Sequence, residues 1–479
     1  MKNLPIIKFG LVCLLSLWGR SVHAETPPNI ILMMADDLGW GDVKCFNPKS
    51  PIKTPYLDAM AGAGIQFNRF YASSPVCSPT RGSSLTGRHP YRYGIPYANT
   101  GHMKPEELTL AELLKAKGYA TGHFGKWHLG TLTTEIKDAN RGMPGNTKDF
   151  SPPWKNGFDH CFSTESKVPT WDPMLLPGKA EGWKDGKKGW DAIKDRASAE
   201  SYGTHYWNEK GEIVRDNLEG DDSRVIMDRV VPFVEEAAKE KKPFFAVVWF
   251  HTPHLPVVAG PEYAAMYPGV SDFEKNYYGC ITAMDDQIGR LRTTLKKAGV
   301  AENTMLWFCS DNGPEGSKTS PGSAAHFKGR KRSLNEGGVR VPGILEWPAQ
   351  VKMGTVTDFP AVTSDYLPTI LEAVKTEYAG ERPLDGISLL PVIAGDQSER
   401  QQGIGFESRG SAAWSTQRYK LFRAKKGQPW QLYDLIEDPS EKKDLAMQHP
   451  EVVAKLAKEF SAWQESCARS DRGDDYGSR

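Results

Sequence analysis

Hydrophobic and polar positions along the chain follow two alternating rhythms. Residues 29–36, Asn-Ile-Ile-Leu-Met-Met-Ala-Asp, are almost unbroken in apolar character and end on acids. This pattern predicts a buried parallel strand with polar residues at its carboxyl end. Residues 243–250 and 304–310 repeat it, and 119–124 is a shorter version. Residues 108–117, 223–239 and 275–298 instead carry apolar side chains at helical spacing. Strands alternating with helices predict a doubly wound α/β fold: a large mixed, mostly parallel sheet flanked by helices.

Residues 131–221 break the rhythm. They are rich in Gly, Pro, Trp, Lys and Asp with weak periodicity, which predicts long loops over one sheet edge. Sites in open α/β sheets lie beyond the carboxyl ends of strands, so such loops are placed to wall a cleft; an idle, decorated surface is the other reading. Past residue 400 the pattern changes again. Segments 403–406, 412–415, 419–423 and 430–435 read as short antiparallel strands, and 451–467 as an amphipathic helix. The expected organisation is a large domain over 25–400 and a small C-terminal antiparallel-sheet α+β subdomain over 401–479. Its last dozen residues are polar and expected to fray.

Composition alters this picture only at the edges. A chain of 479 residues, 39% hydrophobic and 25% charged, can bury one large core and a smaller one. A net charge of +1 gives no reason to expect nucleic acid as a partner. At the N-terminus, Lys2 and Lys8 flank a short apolar run, and Val22-His23-Ala24 has the small-residue spacing of a cleavage site. Residues 1–24 therefore read as a secretory signal peptide, too short to span a bilayer, with an uncleaved anchor as the alternative. The expected product is exported, periplasmic or extracellular, with no membrane span. Cys45, Cys77, Cys161, Cys280, Cys309 and Cys467 remain, without any C-x-x-C, which excludes a zinc framework and leaves room for one disulfide.

The candidate chemistry lies in a few short motifs. Cys77-Ser78-Pro79-Thr80-Arg81 is followed by Leu85-Thr86-Gly87-Arg88. Asp36-Asp37 ends the first strand and Asp311-Asn312-Gly313 ends the strand at 304–310. Three carboxylates and an amide form an all-oxygen set suited to Ca²⁺ or Mg²⁺ rather than Zn²⁺. Gly122-His-Phe-Gly-Lys-Trp-His-Leu-Gly130 places Lys126 and His128 two apart, on the same side if the segment is extended. Phe250-His-Thr-Pro-His-Leu-Pro256 follows a buried strand. A basic loop holds Gly329-Arg-Lys-Arg-Ser-Leu-Asn-Glu-Gly-Gly338.

Together these motifs resemble the type I sulfatase family of the alkaline-phosphatase-like superfamily, including its carbohydrate and aryl sulfatases. With weaker matches at Asp365-Tyr-Leu-Pro-Thr369, Leu384-Asp-Gly386 and Leu432-Tyr-Asp-Leu435, the likeness covers about residues 28–446. It implies an alkaline-phosphatase-like fold with residues 25–400 as the catalytic domain. It also implies oxidation of Cys77 to formylglycine by a maturase that reads the Pro and Arg of the motif. A serine alkoxide attacking sulfur would leave a stable sulfate ester on the enzyme. A hydrated aldehyde carries two hydroxyls on one carbon, so one can attack and the other can expel the sulfate. Arg81, four residues on, shares a helical face with Cys77 and can hold nucleophile oxygens or offset negative charge.

By the same resemblance Asp36, Asp37, Asp311 and Asn312 hold the metal with an oxygen from position 77, Ca²⁺ being preferred over Mg²⁺. Lys126 holds a nucleophile or sulfate oxygen, His128 is the base, and His254 is the general acid that protonates the leaving alcohol. Lys331 falls on the family's sulfate-binding lysine. His251 reads equally as support for the site or as a structural histidine. Arg330 and Arg332 are either an extra anionic contact or a solvated loop, and Asn335 stands where an aromatic is commoner. The expected substrate is a carbohydrate sulfate, of glycosaminoglycan or algal polysaccharide type. Lys167-Val-Pro-Thr-Trp-Asp-Pro173 and His205-Tyr-Trp-Asn208 are candidate sugar contacts, Trp171 and Trp207 being able to stack on a ring or to serve packing. The competing readings are a phosphonate or phosphate ester hydrolase of the same superfamily, and a non-catalytic protein that binds sulfated glycans.

Overall fold

The computed structural model describes residues 26–179, 190–317, 319–380 and 382–476. The expected signal peptide lies outside them. Among the described residues nine strands form the main sheet: Asn29–Ala35 (β1), Ile65–Phe67 (β2), Ala120–Lys126 (β3), His160–Thr164 (β4), Trp207–Asn208 (β5), Phe244–Trp249 (β6), Thr304–Ser310 (β7), Gly343–Glu346 (β8) and Thr355–Thr357 (β9). Their order is β9-β2-β8-β7-β1-β6-β3-β4-β5. The central run β7-β1-β6-β3-β4 is parallel throughout, whereas β8 and β5 pair antiparallel with their inner neighbours.

The unbroken apolar strands have a simple cause. Successive side chains of β1 point to opposite faces, and both faces are covered. Ile31 and Met33 enter one core, packed with residues of the helices Asp222–Lys239 and Asp272–Lys297; Ile30, Leu32 and Met34 enter the other. Polar residues can appear only where the strands leave these cores. The register aligns Ala35 with Ser310, so the acids that follow both strands emerge side by side.

The segment 131–221 is not loops alone. It supplies β4, in parallel register beside β3, and the edge strand β5. The five-residue strand His160–Thr164 is short and begins on an exposed histidine, which hides it from a search for apolar runs. Trp207, for which the sequence leaves a sugar contact and packing both open, is buried in β5, where its indole N–H donates to Asp138 at 3.0 Å, the packing role. Trp171 packs against Gly260, where a Cβ would lie 2.3 Å from the ring.

Toward the C-terminus, Ile404–Ser408, Ser411–Ser415, Tyr419–Arg423 and Gln431–Asp434 form a four-stranded antiparallel sheet, followed by the helix Pro450–Asp471. Lys420 clamps it to the rest. Its buried ammonium sits 3.0 Å from both Glu336 and Glu441, and the Tyr71 hydroxyl donates to Glu336 at 2.8 Å. The tail does not fray as expected. Through residue 476 it is anchored by the Arg88–Asp475 ion pair at 2.8 Å and by the Tyr476 hydroxyl, which donates to Glu107 at 2.5 Å. All six described cysteines are unpaired, so the disulfide for which the sequence left room is absent among the described residues.

His89 links this helix to acid stability. Its ring is buried edge-on against Trp463, and burial, assisted by Arg92 and opposed by Asp385, holds its pKa at about 3. Unfolded, it takes up a proton near pH 6.5, so below that pH the unfolded state binds more protons and stability falls with pH. The loss from this group is about 1.4 kcal/mol per pH unit until the folded pKa is reached. Urea unfolding of wild type and His89→Gln across that range should show a shallower acid slope in the variant. Equal slopes would remove His89 from the account.

Candidate active site

The carboxyl ends of the parallel strands β3, β6, β1 and β7 converge on one buried point. Asp36 and Asp37 follow β1, but consecutive strand residues should face opposite ways. Asp37 escapes this because its φ is +67°, in the left-handed region that aspartate tolerates better than most residues. Oxygens of Asp36, Asp37 and Asp311 consequently lie within 4.8 Å of one another. Asn312 donates its side-chain N–H groups to Asp37 at 2.7 Å and to the Gly313 carbonyl at 2.9 Å, which fixes its amide and frees the oxygen. The buried atoms Asp36 Oδ1 and Asn312 Oδ1 have no hydrogen-bond partner among the described residues. Orphaned oxygens beside clustered carboxylates are what a hard cation satisfies. The residues fit such an ion.

Cys77 opens the helix Cys77–Thr86, every residue of which is buried, and Gly87 closes it at φ +68°. Its sulfur lies within 4.8 Å of oxygen and nitrogen ligand atoms of Asp36 and His254. Burial raises the thiol pKa, with Lys126 and Lys331 opposing. The helix N-terminus adds a partial positive charge where an anionic nucleophile would form. Arg81 is wholly buried, donates to Asp311 at 2.6 Å and to the Lys126 carbonyl at 3.1 Å, and approaches Asp36 at 3.5 Å. Of the two tasks open to it, offsetting carboxylate charge is the one this geometry displays.

Lys126 donates to Asp36 at 2.6 Å, and Lys331 pairs with Asp37 at 2.6 Å. Burial alone would raise the Asp36 pKa, but Lys126, His254, Arg81 and Lys331 together hold it well below the usual carboxylate range. Asp311 goes the other way, to about 7, through burial and the neighbouring Asp36 charge, with Arg81 opposing. The two flanking arginines of the basic loop have separate tasks. Arg330 donates to the carbonyls of Glu315 and Gly322, while Arg332 pairs with the Glu315 carboxylate. Neither is a free anion contact. Asn335 precedes the short helix Glu336–Val339, and its side chain makes no capping bond.

His128 does not continue the strand of Lys126, because its φ is +61°. Its side chain is oriented by residues that carry no motif. Asn140 donates to Asn99 Oδ1 at 2.9 Å, which marks that oxygen as an acceptor. His128 Nε2, 2.6 Å from the same oxygen, must therefore carry the proton. Nδ1 is left buried with its lone pair and no partner among the described residues. Burial, then Lys126, holds this ring well below the ordinary histidine pKa. His254 sits between the cis prolyl bonds Thr252–Pro253 and Leu255–Pro256, with Nδ1 on the Leu255 carbonyl at 2.7 Å and Nε2 3.6 Å from Asp37. Burial, with Lys331 and Lys126 opposing Asp37 and Asp36, lowers its pKa to about 3. His251 faces elsewhere, bridging Asp222 and Thr164 at 2.8 Å each, as a structural histidine does.

Comparison with known proteins finds relatives over most of the chain. The sulfatase family profile matches residues 28–376, and the profile named N-sulphoglucosamine sulphohydrolase, C-terminal, matches 325–466. The chain is 29% identical to the steryl-sulfatase of Mus musculus, covering 82% of this chain and 70% of that protein. It is 31% identical to the N-acetylgalactosamine-6-sulfatase of Sus scrofa, covering 82% and 71%. The crystal structure of Ps i-CgsB in complex with k-i-k-neocarrahexaose superposes with a TM-score of 0.76 at 28% identity, over 92% of this chain and 93% of that one. Profile, relatives and fold agree that the chain belongs to the type I sulfatases of the alkaline-phosphatase-like superfamily and is a sulfuric ester hydrolase.

Proposed function

We propose that this sulfatase removes sulfate from a carbohydrate after Cys77 has been converted to formylglycine, with a divalent cation, Ca²⁺ ahead of Mg²⁺, held by Asp36, Asp37, Asp311, Asn312 and an oxygen at position 77. The observation that carries it is that Cys77, at a helix start, lies within 4.8 Å of Asp36, which itself belongs to a cluster of three carboxylates that, with Asn312, holds two orphaned oxygens. The carbohydrate assignment is supported by the N-acetylgalactosamine-6-sulfatase relative and by the saccharide-bound structure. Export to the periplasm or outside the cell fits such a polymer. No helix among the described residues is long and apolar enough to cross a membrane.

When bound, the cation supplies a Lewis acid for a sulfate oxygen and lowers the pKa of the nucleophile. The aldehyde hydrate supplies one hydroxyl to attack sulfur and a second to expel sulfate. The remaining work falls to the chain. Lys126 and Lys331 offer ammonium groups to the anion, and Arg81 offsets the carboxylates behind it. His128 Nδ1, kept unprotonated, takes the proton whose departure releases sulfate. His254 donates a proton to the leaving alcohol. In the free protein His254 is neutral at pH 7, so it must gain its proton as the anionic substrate enters, since a nearby anion favours the imidazolium.

The leaving group tests this assignment. His254→Ala should lose about 10²- to 10⁴-fold in kcat with an alkyl or sugar sulfate. An aryl sulfate, whose phenolate departs unaided, should lose far less. Equal losses on both would sink the proton-donor role. The wider reading is tested with a panel of defined sulfated saccharides, an aryl sulfate and a phosphonate ester. Together with the mass of the Cys77 peptide, they separate a carbohydrate sulfatase from a phosphonate hydrolase and from a protein that only binds glycans.

A further inference from the structure

Four cationic side chains gather around the strand ends, and three have carboxylate partners. Arg81 bonds Asp311, Lys126 bonds Asp36, and Lys331 bonds Asp37. Lys167 is the fourth. It lies three residues beyond Thr164, which is level with Lys126 in the sheet and whose carbonyl accepts from the Trp127 N–H. The segment around it is pinned on both sides. Asn140 donates to the Ser166 hydroxyl at 2.7 Å, while Thr170 donates its N–H to the Pro256 carbonyl and its hydroxyl to Val258 at 2.7 Å. Lys167 is thus placed between the Lys126 segment and the His254 segment.

The residue is partly buried, and its ammonium makes no hydrogen bond or ion pair among the described residues. Burial, then Lys126 and Lys331, lowers its pKa, while Asp36 and Asp37 act in the opposite sense. Those four charges all belong to the candidate site, so Lys167 stands within electrostatic reach of it. A partly buried cation with no ion-pair partner among the described residues is costly, and an arriving anion would compensate it.

We propose that Lys167 binds a second anionic group of the substrate, a sulfate or a carboxylate carried on the same or the adjoining sugar, next to the sulfate that is removed. The chain would then prefer a doubly anionic saccharide. This rests on the carbohydrate reading above.

The test uses the matured, metal-loaded full chain as wild type, Lys167→Met and Lys167→Arg. Substrates are a disulfated disaccharide, a monosulfated disaccharide bearing a uronate, its neutral monosulfated counterpart and an aryl sulfate. In Lys167→Met the ratio of kcat/KM for doubly over singly anionic saccharides should fall about 10- to 100-fold, mainly through KM, as expected for a lost charge-assisted contact. Lys167→Arg should recover most of it. The arm that falls, disulfated or uronate, identifies the second group. An unchanged ratio overturns the proposal, whether activity is retained or lost equally on all four substrates. A wild type that cleaves the aryl sulfate but none of the saccharides removes the carbohydrate reading, and this proposal with it.

Discussion

Replacing Cys77 with serine should turn a multiple-turnover enzyme into one that reacts once and stops. The serine hydroxyl occupies the same helix start, beside the same cation ligands, so attack on sulfur remains geometrically open. What it lacks is the second hydroxyl on the same carbon, and the sulfate ester it forms has no internal route to collapse. Steady-state kcat should fall by about 10⁴-fold or more, the scale on which removal of a covalent nucleophile is felt. Intact mass after exposure to substrate should show sulfate retained on the protein. Cys77→Ala should lose turnover comparably but retain nothing. If Cys77→Ser turns over at wild-type speed, the formylglycine reading is wrong. Burial adds a condition on preparation. Cys77 is 2% exposed and its whole helix is enclosed, so on the formylglycine reading a maturase would have to reach the motif before the chain closes over it. Co-expression with the maturase should therefore raise activity, whereas adding maturase to folded protein should not.

Much of this site was legible because its parts are local in the chain. The strand β1 announces itself by an unbroken run of six apolar residues, Ile30 to Ala35, all of them buried, and Asp36 and Asp37 stand where such a strand must end. The same logic located Asp311 and Asn312 after β7. Cys77 and Arg81 share a helical turn, so their relation is fixed by spacing alone. What sequence could not supply was contact across long separations. Asn99 orients His128 from a loop with no motif, and Asn140 orients Asn99. The polar tail looks free until Asp475 meets Arg88, 387 residues earlier. Lys420 looks like any exposed strand lysine until Glu336 and Glu441 close around it. Polar residues that owe their place to a distant partner carry no periodic signal, and the short strand β4 escaped for want of one as well.

The cation site should prove as decisive as position 77. Asp36, Asp37 and Asp311 form a buried cluster of three carboxylates, neutralised in part by Lys126, Lys331 and Arg81. Two oxygens, Asp36 Oδ1 and Asn312 Oδ1, have no partner among the described residues, and each such buried acceptor costs about 1–3 kcal/mol. A divalent ion relieves both the repulsion and the orphaned oxygens, so its binding must stabilise the fold as well as enable chemistry. At about 100 times its Kd, an ion that binds only the native state adds about 2.7 kcal/mol. Treatment with a chelator should lower the Tm and reduce kcat by about 10³-fold or more, in line with the several kcal/mol a metal contributes to charge stabilisation. Returning Ca²⁺ should restore both readouts more fully than Mg²⁺, because an irregular all-oxygen cage suits the larger ion. Asp311→Ala should abolish the Tm response to added ion, since it removes a ligand and takes from Arg81 its nearest carboxylate. The pairing of the two readouts guards against a trivial result, because a chelator that merely sequestered a loosely held activator would lower the rate and leave the Tm where it was. Full activity in protein shown by metal analysis to be free of divalent ions would mean that the lysines alone serve these carboxylates.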